Sequence, residues 1–246
     1  MMKRIWEGMV TAYVALAFVT TMFVVLPPIW MTGLWREPTR TGMVIRLCRF
    51  WMALFFPLAG VRLRILGRER FRPGRNYVVV CNHNSLMDVP VSSPGIPGPN
   101  KTIAKVEMAR IPLFGVIYRR GSVLVDRRSD QSRRESYAKM KAVLEAGMHM
   151  CIYPEGTRNK TGQPLKTFHD GAFRLACDTG TPVMPALIFG TGRMLSSAPP
   201  HAFRPGRLEM QFLEPFEVQK GDDPAELKER VFRAMWDHYA QHADRD

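Results

Sequence analysis

The sequence predicts a layered α/β domain set behind an apolar, membrane-embedded helical segment. Short β-like runs alternate with helical stretches from Gly60 onward, as they do when helices cover a sheet. Residues 8–35 carry no charged side chain. Polar clusters interrupt the apolar runs where strands should end, which is where ligand sites of α/β sheets lie. The 246 residues suit one large domain, or one domain with an appendage. With 46% apolar and 23% charged residues the chain is globular rather than disordered. Its net charge of +13 favours anionic lipid, phosphorylated substrates or nucleic acid. The last lacks any basic-aromatic motif here, so no nucleic-acid partner is expected.

At the N-terminus, the apolar run from Met9 to Leu26 would extend roughly 27 Å as a helix, near the lower limit for crossing a bilayer. Pro27-Pro28 should stop it. Lys3-Arg4 before an apolar stretch also opens a signal peptide, but "VVLPPIW" offers no small-residue cleavage site, so the segment is expected to remain. Arginines 36, 40, 46 and 49 follow it, and basic flanks on both sides give no clean orientation. The next apolar stretch, residues 50–61, is too short to span and rich in aromatics that suit an interface. A pair of helices dipping into one leaflet and a single crossing both fit. Cys48, Cys81, Cys151 and Cys177 have no close pair and no metal-like spacing, which suits a reduced compartment. The expected location is the cytoplasmic face of the inner (plasma) membrane. Residues 1–58 are expected to anchor and residues 59–246 to form the second domain.

In that domain "VRLRILG" alternates as a strand, "NYVVVCN" is a buried strand and "SVLVDR" another. Ser129 or Asp130 caps a helix running to Gly147, with Tyr137, Met140, Val143 and Leu144 on one face. "MHMCIYPEGTR" is a strand leading into a loop, "GAFRLACDTG" a short helix ended by Gly180, and "TPVMPALIFG" a strand despite its prolines. "RLEMQFLEPFEV" supplies one or two more. Asp222-Asp223-Pro224 opens a final helix with Leu227, Val231, Met235 and Tyr239 on one side.

Four clusters carry possible chemistry. In "NHNSLMD", His83 can take a proton from a hydroxyl at neutral pH, and Asp88 is close enough to fix its tautomer. Alone, such a pair is more often a structural turn. "KVEMARIPLFGVIYRRGSVLVDR" gathers Lys105, Arg119, Arg120 and Arg127, which is equally a solvated basic face. "YPEGTRNKTG" delivers Glu155 and Arg158 into a glycine turn ahead of Lys160 and Lys166. Arg can hold a phosphate with two prongs, and a Glu–Arg pair can also merely brace a turn. "TPVMPALI" is mostly structural.

In this order the clusters resemble the glycerolipid acyltransferase family, the 1-acylglycerol-3-phosphate acyltransferases of the PlsC type, over roughly residues 60–215. Asn82, His83 and Asp88 match its first motif. Lys105, Glu107, Pro112, Gly115, Gly121, Asp126 and Arg127 match the second. Pro154, Glu155, Gly156, Thr157 and Arg158 match the third, with Tyr153 replacing Phe and Asn159 replacing Ser; Met184-Pro185 loosely meets the fourth. A departure follows the third motif, where Phe168, His169 and Asp170 precede Gly171; this His-Asp pair implies local structure or acceptor recognition.

The resemblance implies an αβα acyltransferase domain around a mixed sheet. It implies His83 as general base on the sn-2 hydroxyl of a lysophosphatidate acceptor and Asp88 as its orienting carboxylate. Asn82, Lys105, Arg127, Glu155, Gly156, Thr157, Arg158 and Lys166 would bind substrate. No cofactor and no metal is implied; acyl-CoA or acyl carrier protein enters as co-substrate, and membrane phospholipid is the surrounding partner. Ser85 could serve as a nucleophile, although two residues from His83 it suits a turn better. Other acceptors (a lyso-ornithine lipid, lysophosphatidylglycerol) and a non-catalytic phospholipid-binding membrane module remain open on these residues.

Overall fold

Two apolar helices open the chain and lie along each other: α1 (Met2–Met31) and α2 (Thr39–Leu58). The structure, a computed structural model, describes residues 2–195 and 202–242; residues 196–201 and 243–246 of the expected second domain lie outside the described residues. Helix α1 runs through Pro27-Pro28, where the sequence predicts a stop. A proline inside a helix costs about 3 kcal/mol. Here Val25 and Ile29 are fully buried on either side of the prolines, and the Thr32 hydroxyl donates to the Ile29 carbonyl at 2.7 Å. Tertiary packing outweighs the local cost. Helix α2 likewise starts well before the interfacial stretch read from the sequence. Its first turn is held by Glu37, whose carboxylate accepts from the Thr41 amide (3.2 Å) and hydroxyl (2.6 Å). By length and composition, residues 4–34 and 39–58 are each long and apolar enough to cross a membrane.

Seven strands follow: β1 (Val61–Leu66), β2 (Val78–Cys81), β3 (Asn100–Lys105), β4 (Ser122–Val125), β5 (His149–Ile152), β6 (Val183–Phe189) and β7 (Gly206–Phe212). They form one sheet in the order β1-β7-β6-β2-β5-β3-β4. Only the β6–β7 pairing is antiparallel, so β1 and β7 run against the other five and the sheet is mixed. Strand β3 was not legible in the sequence: "NKTIAK" is half polar, and Lys101 on it is paired with Glu37 at 2.8 Å. The remaining helices are α3 (Asp88–Gly95), α4 (Gly115–Gly121), α5 (Asp130–Glu145), α6 (Gly171–Thr179), α7 (Thr191–Met194) and α8 (Pro224–Gln241).

Alternation along the strands divides the core into two layers. Val79, Cys81, Met184 and Ile188 pack with α1, α2 and α3, together with Trp51, Phe55 and Val91. Val78, Val80, Leu187 and Phe189 face α5, α6 and α8, and there Met140, Phe173, Val231 and Met235 fill the space. The expected boundary at residue 58 is therefore no gap, because Val14, Met22, Val25 and Ile29 of α1 belong to the same core as the sheet. All four cysteines are free thiols, and the buried Cys81 and Cys151 sulfurs lie 3.8 Å apart.

Candidate active site

Strand β2 carries Asn82 and His83 off its C-terminal end. Asn82 is buried, and both ends of its amide bond the Ile188 backbone of β6, at 2.9 and 2.7 Å. The expected substrate contact is thus a strap that fixes where the chain leaves the sheet. The following turn wraps around the carboxylate of Asp88, the first residue of α3. Oδ2 of Asp88 accepts from the amides of Asn84 (2.7 Å) and Ser85 (2.8 Å), and Oδ1 accepts from the Thr191 hydroxyl of α7 at 2.5 Å. The same Oδ2 lies 2.7 Å from His83 Nδ1. A carboxylate that already accepts two amides can only accept again, so Nδ1 carries the imidazole proton and the Nε2 lone pair is left available. The Ser85 hydroxyl donates to the Leu195 carbonyl at 2.7 Å, which gives it a structural task.

Tyr153, at the end of β5, lies against the His83 ring with centroids 4.4 Å apart, and its hydroxyl meets Ser92 of α3 at 2.7 Å. Burial pushes that phenol well above its ordinary range. The residue replacing the family's Phe therefore keeps the aromatic face and adds a tether to α3.

Glu155 is buried and braces two backbones, accepting from the His83 amide (2.8 Å) and the Lys166 amide (3.0 Å). Burial pushes its carboxyl up to about 7, the two amide bonds opposing the shift. The Glu155–Arg158 pair suggested by their spacing does not form. Among the described residues the Arg158 guanidinium has no hydrogen-bond or ion-pair partner. Arg127 donates to the Gly156 carbonyl, and Lys166 Nζ to the Thr157 hydroxyl at 2.6 Å. Gly156 has φ +70°, and a Cβ there would stand 2.8 Å from the His169 ring. His169 packs on this turn, while Asp170 turns to Lys228 of α8 at 2.6 Å, so the two form no dyad. The Asn159 amide donates to the His83 carbonyl at 2.6 Å and locks the third cluster onto the first. Lys105, exposed at the end of β3, is on the same edge of the sheet.

A cavity of about 420 Å³ lies between the N-terminal helices and α3–α4. Phe18, Trp51, Phe55 and Phe114 line it, and Leu86 and Met87 of the Asp88 turn form its wall beside His83. Neither this cavity nor the role of Thr191 has a signal in the sequence. Thr191 meets Asp88 across 103 positions, and the cavity exists only once α1 and α2 dock.

A family model described as Acyltransferase matches residues 62–189. The 1-acyl-sn-glycerol-3-phosphate acyltransferase of Borreliella burgdorferi is 30% identical over 135 residues, 54% of each chain. The Helicobacter pylori protein of the same name is 29% identical over 188 residues, 75% of this chain and 78% of the relative. The chain thus spans about half the length of the first of these relatives. The crystal structure of the LPA acyltransferase PlsC from Thermotoga maritima matches with TM-score 0.81 and 25% identity, covering 99% of this chain and 98% of that one. With a family model spanning just over half of its residues and a solved relative sharing its mixed sheet, the chain belongs to the acyltransferase family.

Proposed function

We propose that the chain moves a fatty acyl group from a thioester to the sn-2 hydroxyl of 1-acylglycerol-3-phosphate, giving phosphatidic acid. The observation that carries this reading is the His83–Asp88 pair, with Nε2 available, on a turn whose Leu86 and Met87 line an apolar cavity, and beside a loop bearing an unpaired Arg158. Nε2 takes the hydroxyl proton as the oxygen attacks the thioester carbonyl; the C–O bond forms, the C–S bond breaks, and the imidazolium returns the proton to the departing thiolate. Asp88 stabilises the imidazolium in between. No group on the protein is acylated.

Arg158 would receive the acceptor phosphate, with Lys105, Arg127 and Lys166 adding positive charge and Gly156 and Thr157 shaping the turn. Asn82 and Glu155 would act beneath the substrate, holding the two loops. The 420 Å³ cavity suits an acyl chain, since its wall is apolar and includes Leu86 and Met87 of the turn between His83 and Asp88. The protein would work on the cytoplasmic face of the membrane, anchored by α1 and α2. Among the described residues the exposed large apolar side chains all lie in residues 2–58, apart from Leu86, Ile111 and Leu113. Leu86 belongs to the His83–Asp88 turn, which brings the apolar surface to the mouth of the site.

The test is acyl transfer by purified full-length protein to lysophosphatidate from a long-chain thioester. His83→Ala should lower turnover by roughly a hundred- to ten-thousand-fold in a protein that still folds. Near-normal turnover in the folded variant would remove the mechanism.

A further inference from the structure

A second cavity, of about 840 Å³, opens where β1 and β7 begin. Five arginines line it (Arg62, Arg64, Arg193, Arg204 and Arg207) against one carboxylate, Glu209. On this strand pair Arg64 faces Glu209 in register, at 4.0 Å, whereas Arg62 faces Arg207. Like charges directly opposite on neighbouring strands are destabilising. Neither Arg62 nor Arg207 has a carboxylate partner among the described residues. Two exposed arginines leave neighbouring strands side by side and line one concavity, an arrangement that suits a multiply charged anion.

The groove lies on the same edge of the sheet as His83. Because β1 and β7 run against β6 and β2, their first residues lie beside the last residues of those strands. Two strand spacings separate β2 from β7 and three separate it from β1, roughly 10 and 14 Å. Helix α7 joins the two places. Thr191 bonds Asp88, and Arg193, two residues on, lines the groove. Gly190, at φ +84°, lets α7 start directly against the Arg207 carbonyl; a Cβ there would stand 2.6 Å from it.

The side chains of β1 and β7 also separate the groove from the apolar helices. Leu208 is buried in the layer that α1 and α2 cover, so its neighbours Arg207 and Glu209, with Arg62 and Arg64 opposite them, project to the other face. A bilayer meeting α1 and α2 would not lie flat against that face. A concavity of this volume suits a small molecule rather than a flat protein surface.

We propose that the groove binds the nucleotide phosphates of a coenzyme A thioester, with the acyl chain in the 420 Å³ cavity and the pantetheine arm passing over α7. That arm is a chain of about four residues' length, roughly 14 Å when extended, about the diagonal from the level of His83 to Arg207, two strand spacings sideways and three residues along the strands. This rests on the thioester-donor reading above and selects between its two forms of donor.

The test is calorimetric binding of coenzyme A itself to full-length protein in uncharged detergent, with no acceptor present. Wild type should bind. Arg62→Ser with Arg207→Ser should weaken binding roughly ten- to a hundred-fold and raise KM for acyl-CoA, leaving kcat and KM for lysophosphatidate near wild type. Arg62→Lys with Arg207→Lys should recover part of the loss. An unchanged coenzyme A affinity in the folded double Ser variant overturns the proposal, as does a wild type that binds none. Two further outcomes also overturn it. Weaker partition onto phosphatidylglycerol vesicles with intact coenzyme A binding would make the groove a lipid-headgroup site. A KM defect confined to acyl carrier protein would make it a carrier-docking surface. Because no acceptor is present, a protein inert toward lysophosphatidate but binding coenzyme A through these arginines would leave the groove assigned and remove only the acceptor.

Discussion

Glu155 and His149 are both buried, both titrate far from their ordinary values, and act on stability with opposite signs. Burial pushes Glu155 up to about 7 against an ordinary 4.5, so between those values the folded chain holds a proton that the unfolded chain has released. Stability from this group falls as pH rises from about 4.5 to about 7, by up to a few kcal/mol. Burial lowers His149 to about 4 from 6.5, opposed by a backbone hydrogen bond, and its Nδ1 accepts from the Tyr77 amide at 3.1 Å. There the unfolded chain binds the extra proton, so stability falls as pH drops from about 6.5 to about 4. In the wild type the two slopes offset each other. Glu155→Gln should leave stability rising with pH across 4.5 to 6.5, and His149→Asn should leave it falling. Denaturant unfolding of each variant at several pH values measures the slopes; equal slopes in the two variants would contradict the assignment. Spacing in the sequence leaves Glu155 and Arg158 open either to brace a turn together or to bind substrate. Spacing does not show that the glycine turn takes the carboxylate inward, where it accepts from the His83 amide, and leaves the guanidinium without a partner among the described residues.

At the scale of elements, what was legible is what local chemistry decides. Helix α8 follows from Asp223, whose carboxylate accepts from the Ala225 amide at 2.9 Å, and from the buried row Leu227, Val231, Met235 and Tyr239. Helix α5 follows from Ser129, whose side chain accepts from the Ser132 amide. The misses are elements held by distant partners: β3 by its neighbours β4 and β5, and α1 past its prolines by the core around Ile29. Helix α7 is the extreme case, a single turn whose purpose is visible only against α3. Among the described residues its Thr191 supplies the one side-chain hydroxyl on Asp88, in a fully buried position. Hydrogen bonds to charged groups contribute about 1.5 to 3 kcal/mol. Thr191→Val keeps the shape of the side chain and removes that bond, so the carboxylate loses an anchor and His83 a fixed partner. We expect kcat to fall roughly tenfold or more, with KM for both substrates near wild type. A rise in KM with kcat preserved would place Thr191 in substrate binding instead.

Across the whole molecule, α1 has two apolar faces with different tasks. Val14, Met22, Val25 and Ile29 are buried against α2 and the sheet, while Trp6, Met9, Leu16, Phe23 and Trp30 are more than half exposed on the other side. The uncharged run in the sequence announces an anchor, but composition alone does not say that one face of it is core. Deleting residues 1–35 would therefore do two things at once. It would remove an anchoring surface and open the cavity wall at Phe18, with the loss of Phe18's ring contacts to Trp51, Phe55 and Phe114. Removing buried large apolar side chains costs about 2 to 5 kcal/mol each, so the truncated chain should melt far below the intact one. Substituting only the exposed face separates the two tasks. Trp6→Gln, Leu16→Gln, Phe23→Gln and Trp30→Gln together remove the apolar area that would contact lipid and leave the buried row intact. That variant should lose most of its partition onto phospholipid vesicles, keep its melting temperature in detergent, and keep turnover on detergent-dispersed acceptor. Retained partition would mean that α2 and the mouth of the site suffice as the anchor, and a collapsed melting temperature would mean that the outer face is also core.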